Sequence, residues 1–117
     1  MVHTATLRLS HLSLGVNDVA VSEAFYRDVL QLETQRDGED VVVCRPEFLL
    51  TLTHRPPTTR AKFHLGFRVD SPQEVDAWAQ RLRDAGVDIV SGPTGDGHSR
   101  HIYFIDPDSY DLEIYFE

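Results

Sequence analysis

The sequence has a single cysteine, Cys44, a single lysine, Lys62, and a single tryptophan, Trp78. A lone cysteine excludes an intrachain disulfide framework, and with it that argument for secretion. The 11 basic residues, all arginine but Lys62, stand against 19 acidic ones and leave a formal charge of −8. Such a balance excludes the basic footprint that a phosphate backbone requires, so nucleic acid is not an expected partner. No apolar run approaches the roughly 20 residues of a membrane span. Met1 to Thr6 show no basic start leading into an apolar stretch, so no secretory leader is expected and a cytoplasmic location is the default. There is also no Gly-rich phosphate loop, no Ser-His-Asp order and no CxxC pair. What remains is ordinary: 117 residues, 41% hydrophobic and 26% charged, enough for one domain around one core.

Against these absences stands a repeat. His11-Leu12-Ser13-Leu14-Gly15-Val16-Asn17-Asp18 is echoed by His64-Leu65-Gly66-Phe67-Arg68-Val69-Asp70-Ser71. The same offset superposes Ala24 on Ala77, Phe25 on Trp78 and Val29 on Leu82. A duplicated supersecondary unit follows, and two copies suggest a pseudo-two-fold domain with a site between its halves.

Local patterns fill in each copy. Leu7 to Val16 alternates with period two and predicts a strand. Asn17-Asp18 starts a helix that runs to Leu30. Glu33 to Arg36, Val41 to Cys44 and Phe48 to Thr53 read as strands, with a turn at Asp37-Gly38. The stretch 55–62, with Arg55-Pro56-Pro57-Thr58-Thr59-Arg60, is the only linker-like segment. It separates module one, residues 7–54, from module two, residues 63–117, within a single domain spanning 1–117. In module two Phe63 to Val69 is a strand. Ser71, Pro72 and Glu74 form a helix start of the capping-box kind, and Gly86 ends that helix. Val87 to Val90 is a short strand and Ser91 to Ser99 a loop. Ile102 to Ile105 and Tyr110 to Phe116 form a hairpin.

Alternation then assigns faces. Phe63, Leu65, Phe67 and Val69 pack towards the helices, leaving His64, Gly66 and Arg68 opposite; Leu112 and Ile114 pack, leaving Glu113 and Tyr115 opposite. His11 likewise opposes Leu12, Leu14 and Val16. Three residues able to bind a metal thus share the non-helical faces of their strands. His3 and His54 read as solvated, and Cys44 as core.

Three pieces carry a resemblance over nearly the whole chain. They are the opening at His11 with Phe25-Tyr26, the second His64-Leu-Gly-Phe-Arg-Val, and the ending Ile102-Tyr-Phe-Ile-Asp-Pro-Asp-Ser-Tyr-Asp-Leu-Glu113. Together they resemble the vicinal oxygen chelate superfamily, which holds glyoxalase I, extradiol dioxygenases, and fosfomycin- and bleomycin-resistance proteins. The resemblance implies an α+β fold of two βαβββ modules forming a cup-shaped mixed sheet. It also implies one divalent transition metal per site (iron, manganese, zinc, cobalt or nickel) on His11, His64 and Glu113. Ser109 departs from the glycine usual after Asp-Pro-Asp.

Thr51 aligns with Glu113 through Leu50-Thr51-Leu52 and Leu112-Glu113-Ile114. Glyoxalase I-like members carry a glutamate there as ligand and base; threonine is a poor ligand and no base. A two-His-one-carboxylate site remains, resembling dioxygenases and fosfomycin-resistance enzymes more than glyoxalase I. Gly97-His98-Ser99-Arg100-His101 resembles the loop of the fosfomycin group, yet no lysine lies between Gly86 and Arg100 and no arginine follows Glu113. Tyr103 and His101 are the expected catalytic residues, His98 lying too close to Tyr103 for the dioxygenase spacing. Ser13, Thr51, Thr53, Arg68, Arg100 and Tyr115 are the expected substrate-pocket residues.

The expected function is metal-dependent chemistry on a small molecule held through adjacent oxygens. The alternative is a bleomycin-resistance-like protein that sequesters its ligand without catalysis. The resemblance further implies a homodimer. The cup either closes within one chain or forms between module one of one subunit and module two of its mate, the latter slightly favoured.

Overall fold

Asp18 caps the first helix through its side chain, which accepts from the backbone N–H groups of Ala20 and Val21. Ser71 does the same for the second by accepting from Glu74, while Glu74 reaches back to the N–H of Asp70 and the Ser71 hydroxyl. These local starts set the frame of the computed structural model, which describes residues 7, 9–44, 49–58 and 63–117. His3, Pro46, Phe48 and Lys62 lie outside the described residues, as does the later part of the linker.

Module one runs β1 (His11–Val16), α1 (Val19–Ala24), β2 (Thr34–Arg36), β3 (Val41–Cys44) and β4 (Leu49–His54). Module two repeats the order as β5 (His64–Arg68), α2 (Pro72–Asp84), β6 (Ile89–Gly95), β7 (Arg100–Ile105) and β8 (Asp111–Phe116). Each is a four-stranded mixed sheet, ordered β1-β4-β3-β2 and β5-β8-β7-β6. The parallel pairs β1–β4 and β5–β8 enclose the helical crossovers. The fold class is therefore α+β, two βαβββ modules, as the sequence implies.

Three elements differ from the sequence reading. The first helix changes geometry after Ala24 and finishes as a π-helical turn over Phe25–Val29. β1 begins at His11, while Leu7 and Leu9 before it stand 93% and 87% exposed. The segment expected as a loop after Val90 is strand: β6 continues to Gly95 through two register shifts against β7. Those irregularities absorb Gly92, Pro93 and Gly95, which in sequence look like punctuation.

Burial follows the alternation. Val16, Val42, Leu50 and Leu52 are fully buried with Tyr26 in module one; Val75, Leu82, Phe104 and Leu112 are fully buried in module two. Cys44 is buried too, and burial pushes its thiol up to about 12, making it an inert core residue. Among the described residues no ladder joins the two sheets, so β1 and β5 each end a sheet with an open edge. The radius of gyration is 15.6 Å, against about 13 Å for a compact chain of this length. A cavity of about 990 Å³ lies along β5, lined by Leu30 and Leu50 of module one and by His64, Phe67, Trp78 and Tyr115 of module two.

The modules are joined instead by side chains, by Arg81 of α2 donating to the carbonyls of Val29 and Asp28 and, in the interior, at the turn between β7 and β8. Asp106 and Asp108 are both buried there. Asp106 accepts from Tyr26 at 2.7 Å, and Asp108 accepts from the Ser22 hydroxyl and the N–H of Asn17. Tyr110 donates to the carbonyl of Gly15 at 2.8 Å. Ser109 closes the turn with φ 67, a conformation that costs a non-glycine residue.

Candidate metal and substrate site

The β5–β8 ladder puts Gly66 opposite Glu113, and the β7–β8 ladder puts Tyr103 opposite Glu113 from the other side. Cross-strand partners share a face, so Glu113 is flanked by both. His64, two residues before Gly66, leans back so that its Nε2 lies 3.2 Å from Glu113 Oε1. The carboxylate side chain is 16% exposed and the imidazole 47%, a donor pair open to solvent on one side. Tyr103, the cross-strand partner of Glu113, has its hydroxyl beside that carboxylate. Hydrogen bonding toward Glu113 first, then desolvation and the carboxylate charge, pushes the phenol above its ordinary value. Tyr103 is thus held protonated.

Two imidazole rings touch the phenol edge-on: His64 at 5.4 Å and His101 at 5.3 Å between ring centroids. His101 pairs with Tyr115 across the β7–β8 ladder, and Tyr115 pairs with Arg68 across β5–β8. Tyr115 lies over Gly66, where an added Cβ would stand 3.1 Å from the ring and 3.5 Å from Glu113 Oε1. A side chain at this position would crowd the Tyr115 ring and make it shift by a few tenths of an ångström. The alternation places Gly66 on this face, but the close approach of Tyr115 is a cross-strand contact that local patterning does not encode.

Of the other expected pocket residues, Arg68 shares this face, and its guanidinium donates to the Glu117 carbonyl. Arg100 does not share it. It alternates with Ile102 and Phe104 on the helix side, where it binds Asp76 of α2 at 2.8 Å and the Gly95 carbonyl at 2.8 Å. This places Arg100 as a clamp between α2 and the β6–β7 hairpin.

Module one offers a plainer surface. His11 is exposed on β1, opposite Leu49; Ser13 is exposed opposite Thr51, and Gly15 stands opposite Thr53. Counting along the ladders, Thr51 occupies the place of Glu113: each lies opposite the residue two after its module's histidine. The structure brings together His64, Glu113, Tyr103, His101 and Tyr115. It does not bring His11 to them within one chain, and among the described residues no three-ligand metal cluster forms. The imidazole nitrogen and carboxylate oxygen of His64 and Glu113 nonetheless suit a first-row divalent ion, which takes such donors together.

Comparison with known proteins agrees with this architecture. A sequence profile described as the Glyoxalase/Bleomycin resistance protein/Dioxygenase superfamily matches residues 8–114. The metallothiol transferase FosB of Staphylococcus epidermidis is 27% identical over 92% of this chain and 80% of its own length. A manganese-dependent 2,3-dihydroxybiphenyl 1,2-dioxygenase of Geobacillus genomosp. 3 is 27% identical over 94% of this chain, which spans 36% of that enzyme. The crystal structure of a glyoxalase/dioxygenase from Nostoc punctiforme superposes with a TM-score of 0.81 at 25% identity, covering 100% of this chain and 99% of that one. The chain belongs to the glyoxalase/bleomycin resistance protein/dioxygenase superfamily.

Proposed function

We propose that this protein is a divalent-metal-dependent enzyme acting on a small molecule held through two adjacent oxygens. The observation that carries this reading is His64 Nε2 at 3.2 Å from Glu113 Oε1, with Tyr103 the cross-strand neighbour of the same carboxylate. A metal bound by His11, His64 and Glu113 would supply Lewis acidity to the substrate's oxygens. Tyr103 holds a proton beside the site, and its neighbour His101 is placed to relay one. Tyr115, seated on Gly66, bounds the face on which the substrate rests.

Thr51 at the counterpart of Glu113 takes away the second carboxylate that a glyoxalase I-like proton transfer uses. Chemistry of the dioxygenase or fosfomycin-resistance kind is therefore favoured. A second reading, a ligand-sequestering protein without catalysis, draws on the two-donor set within one chain.

The missing donor is assigned to a second copy. β1 and β5 are open sheet edges, His11 is exposed on β1, and a cavity lined by His64 to Asp70 runs beside β5. In a homodimer, β1 of one subunit lies beside β5 of the other, delivering His11 to His64 and Glu113. Leu7 and Leu9, exposed in the single chain, then gain a surface to cover them.

Tag-free protein should carry a divalent ion, and His64→Ala should lower its affinity by at least about tenfold, since even supporting residues cost 10–100-fold. Unchanged metal stoichiometry and affinity in both His64→Ala and Glu113→Gln would remove the metal site and leave the sequestering protein. Refolding His11→Ala together with His64→Ala subunits should restore one intact site per heterodimer. No recovered binding would place each site within one chain.

A further inference from the structure

His64 and Glu113 are not partners in the ladder. His64 lies opposite Asp111, and the residue opposite Glu113 is Gly66. The 3.2 Å contact between His64 Nε2 and Glu113 Oε1 is therefore diagonal, and it needs the carboxylate to lean across from β8 towards β5. Gly66 provides the room. A β-carbon there would stand 3.5 Å from Oε1 and 3.1 Å from Cε1 of Tyr115. The space above one glycine is thus shared by a carboxylate oxygen and the edge of a phenol ring.

Tyr115 follows Glu113 by two residues on β8, so both side chains leave the same face of the strand. Its cross-strand partners are Arg68 on β5 and His101 on β7, yet its ring reaches back to the row of Gly66 and Glu113. A glutamate standing free on a strand has several rotamers of similar energy. Here His64 stands on one side of the Glu113 carboxylate along the sheet and the Tyr115 ring on the other. Module one supplies the contrast. Ser13 lies opposite Thr51 and Gly15 opposite Thr53, so Ser13, Thr51 and Thr53 take the places of Gly66, Glu113 and Tyr115. Glycine, carboxylate and tyrosine occur together in one module and are all missing from the matching places of the other.

We propose that Tyr115 is a positioning residue, a backstop that holds the Glu113 carboxylate across the vacant place at Gly66 and against His64. It presets one arrangement of the donor pair. Whatever binds there meets the nitrogen and the oxygen already side by side, so the ordering cost falls on folding and not on binding. Removing the ring leaves both donors in the chain and frees the carboxylate to turn into solvent. Filling the space at Gly66 acts from the other side, by pushing the ring and the carboxylate back towards β8. The consequence for metal binding rests on the metal-site reading above; the arrangement of the side chains does not.

The experiment compares three variants of the full-length protein. Tyr115→Thr puts module one's residue into β8, and Gly66→Val fills the space with a side chain that strands favour. Tyr115→Phe keeps the ring and loses only the hydroxyl. In crystals of metal-free protein, Glu113 should part from His64 in the first two, the nitrogen–oxygen distance passing the ~4 Å limit of an ion pair. Tyr115→Phe should keep the contact. Co²⁺ affinity by equilibrium dialysis should fall about 10–100-fold in the first two, the range for residues that support a ligand, and hold at the wild-type value in Tyr115→Phe. Melting temperature recorded alongside identifies a packing role, which would lower it in Tyr115→Thr and leave Co²⁺ affinity alone. That result, or a Tyr115→Thr protein whose Glu113 stays at His64, would overturn the backstop. The crystal comparison needs no metal. A wild type that takes up no Co²⁺ defeats the metal reading, while Glu113 parting from His64 in Tyr115→Thr still upholds the backstop.

Discussion

Thr51 stands in the β1–β4 ladder where Glu113 stands in the β5–β8 ladder. The duplication has kept the backbone position and divided the chemistry. Module two holds the carboxylate, the phenol and the neighbouring imidazoles, and module one keeps a histidine on a hydroxyl-bearing face.

Thr51→Glu should therefore restore a fourth protein donor on the His11 face. In the proposed dimer this tightens divalent-metal binding by about tenfold or more, near 1.4 kcal/mol. Competition against a chelator of known affinity measures it. Weaker binding in the variant would mean that Thr51 does not face the metal.

Metal affinity should fall steeply in acid. A bound ion needs neutral imidazoles, and histidine ordinarily titrates near pH 6.5. Below roughly pH 6, two histidine ligands make each proton a competitor. Affinity constant from pH 5 to 8, followed by dialysis, would point to other ligands.

Asp106 predicts a pH dependence of a different kind. Burial, more than any other influence, pushes its carboxyl above the ordinary value, opposed by the hydrogen bonds from Tyr26, Tyr110 and Asp108. A folded-state value above the unfolded one means that the native protein holds this proton more tightly. The resulting stability is present below the unfolded value of about 3.9 and is lost as pH rises through the folded one. Asp106→Asn cannot titrate, and its amide can still serve Tyr26 as a donor. Urea midpoints measured in steps from pH 3.5 to 7 should show the wild type losing ground to the variant as pH rises. Parallel curves would assign the dependence to other groups.

Ser109→Gly should stabilise the fold. The residue sits at φ 67, a left-handed conformation costing an L-residue about 1–2 kcal/mol, partly offset by the extra freedom glycine has when unfolded, about 0.5–1 kcal/mol. A net gain of about 0.5–1 kcal/mol should raise the melting temperature by a few degrees. A lower melting temperature would show that the serine makes a compensating contact.

How much of this was legible depended on the range over which each feature acts. Ser71, Pro72, Glu74 and Gly86 mark α2 because capping is settled within a turn of the helix. The pairing of Thr51 with Glu113 rests on matching Leu50-Thr51-Leu52 with Leu112-Glu113-Ile114, because the second module is longer and the repeat's spacing is not kept that far. β6 was harder, because Gly92, Pro93 and Gly95 signal a loop wherever no partner strand tolerates bulges, and β7 does. The faces of β7 were half legible. Tyr103 and Arg100 lie three apart, so alternation alone puts them on opposite sides, yet the sequence reads Arg100 as a pocket residue, and only its contact with Asp76, 24 residues away, ties it to α2. The roles of Asp106 and Asp108 depend on Ser22 and Tyr26, 86 and 80 residues away, and no local pattern carries that distance.

The open edge of β5 has a last consequence. If a second copy covers it, part of what holds this chain folded resides in another molecule, and stability becomes a matter of mass action. Dilution would then act as a denaturant. The folded population would change with expression level, and a heterozygous mixture of intact and defective subunits would share both its stability and its sites.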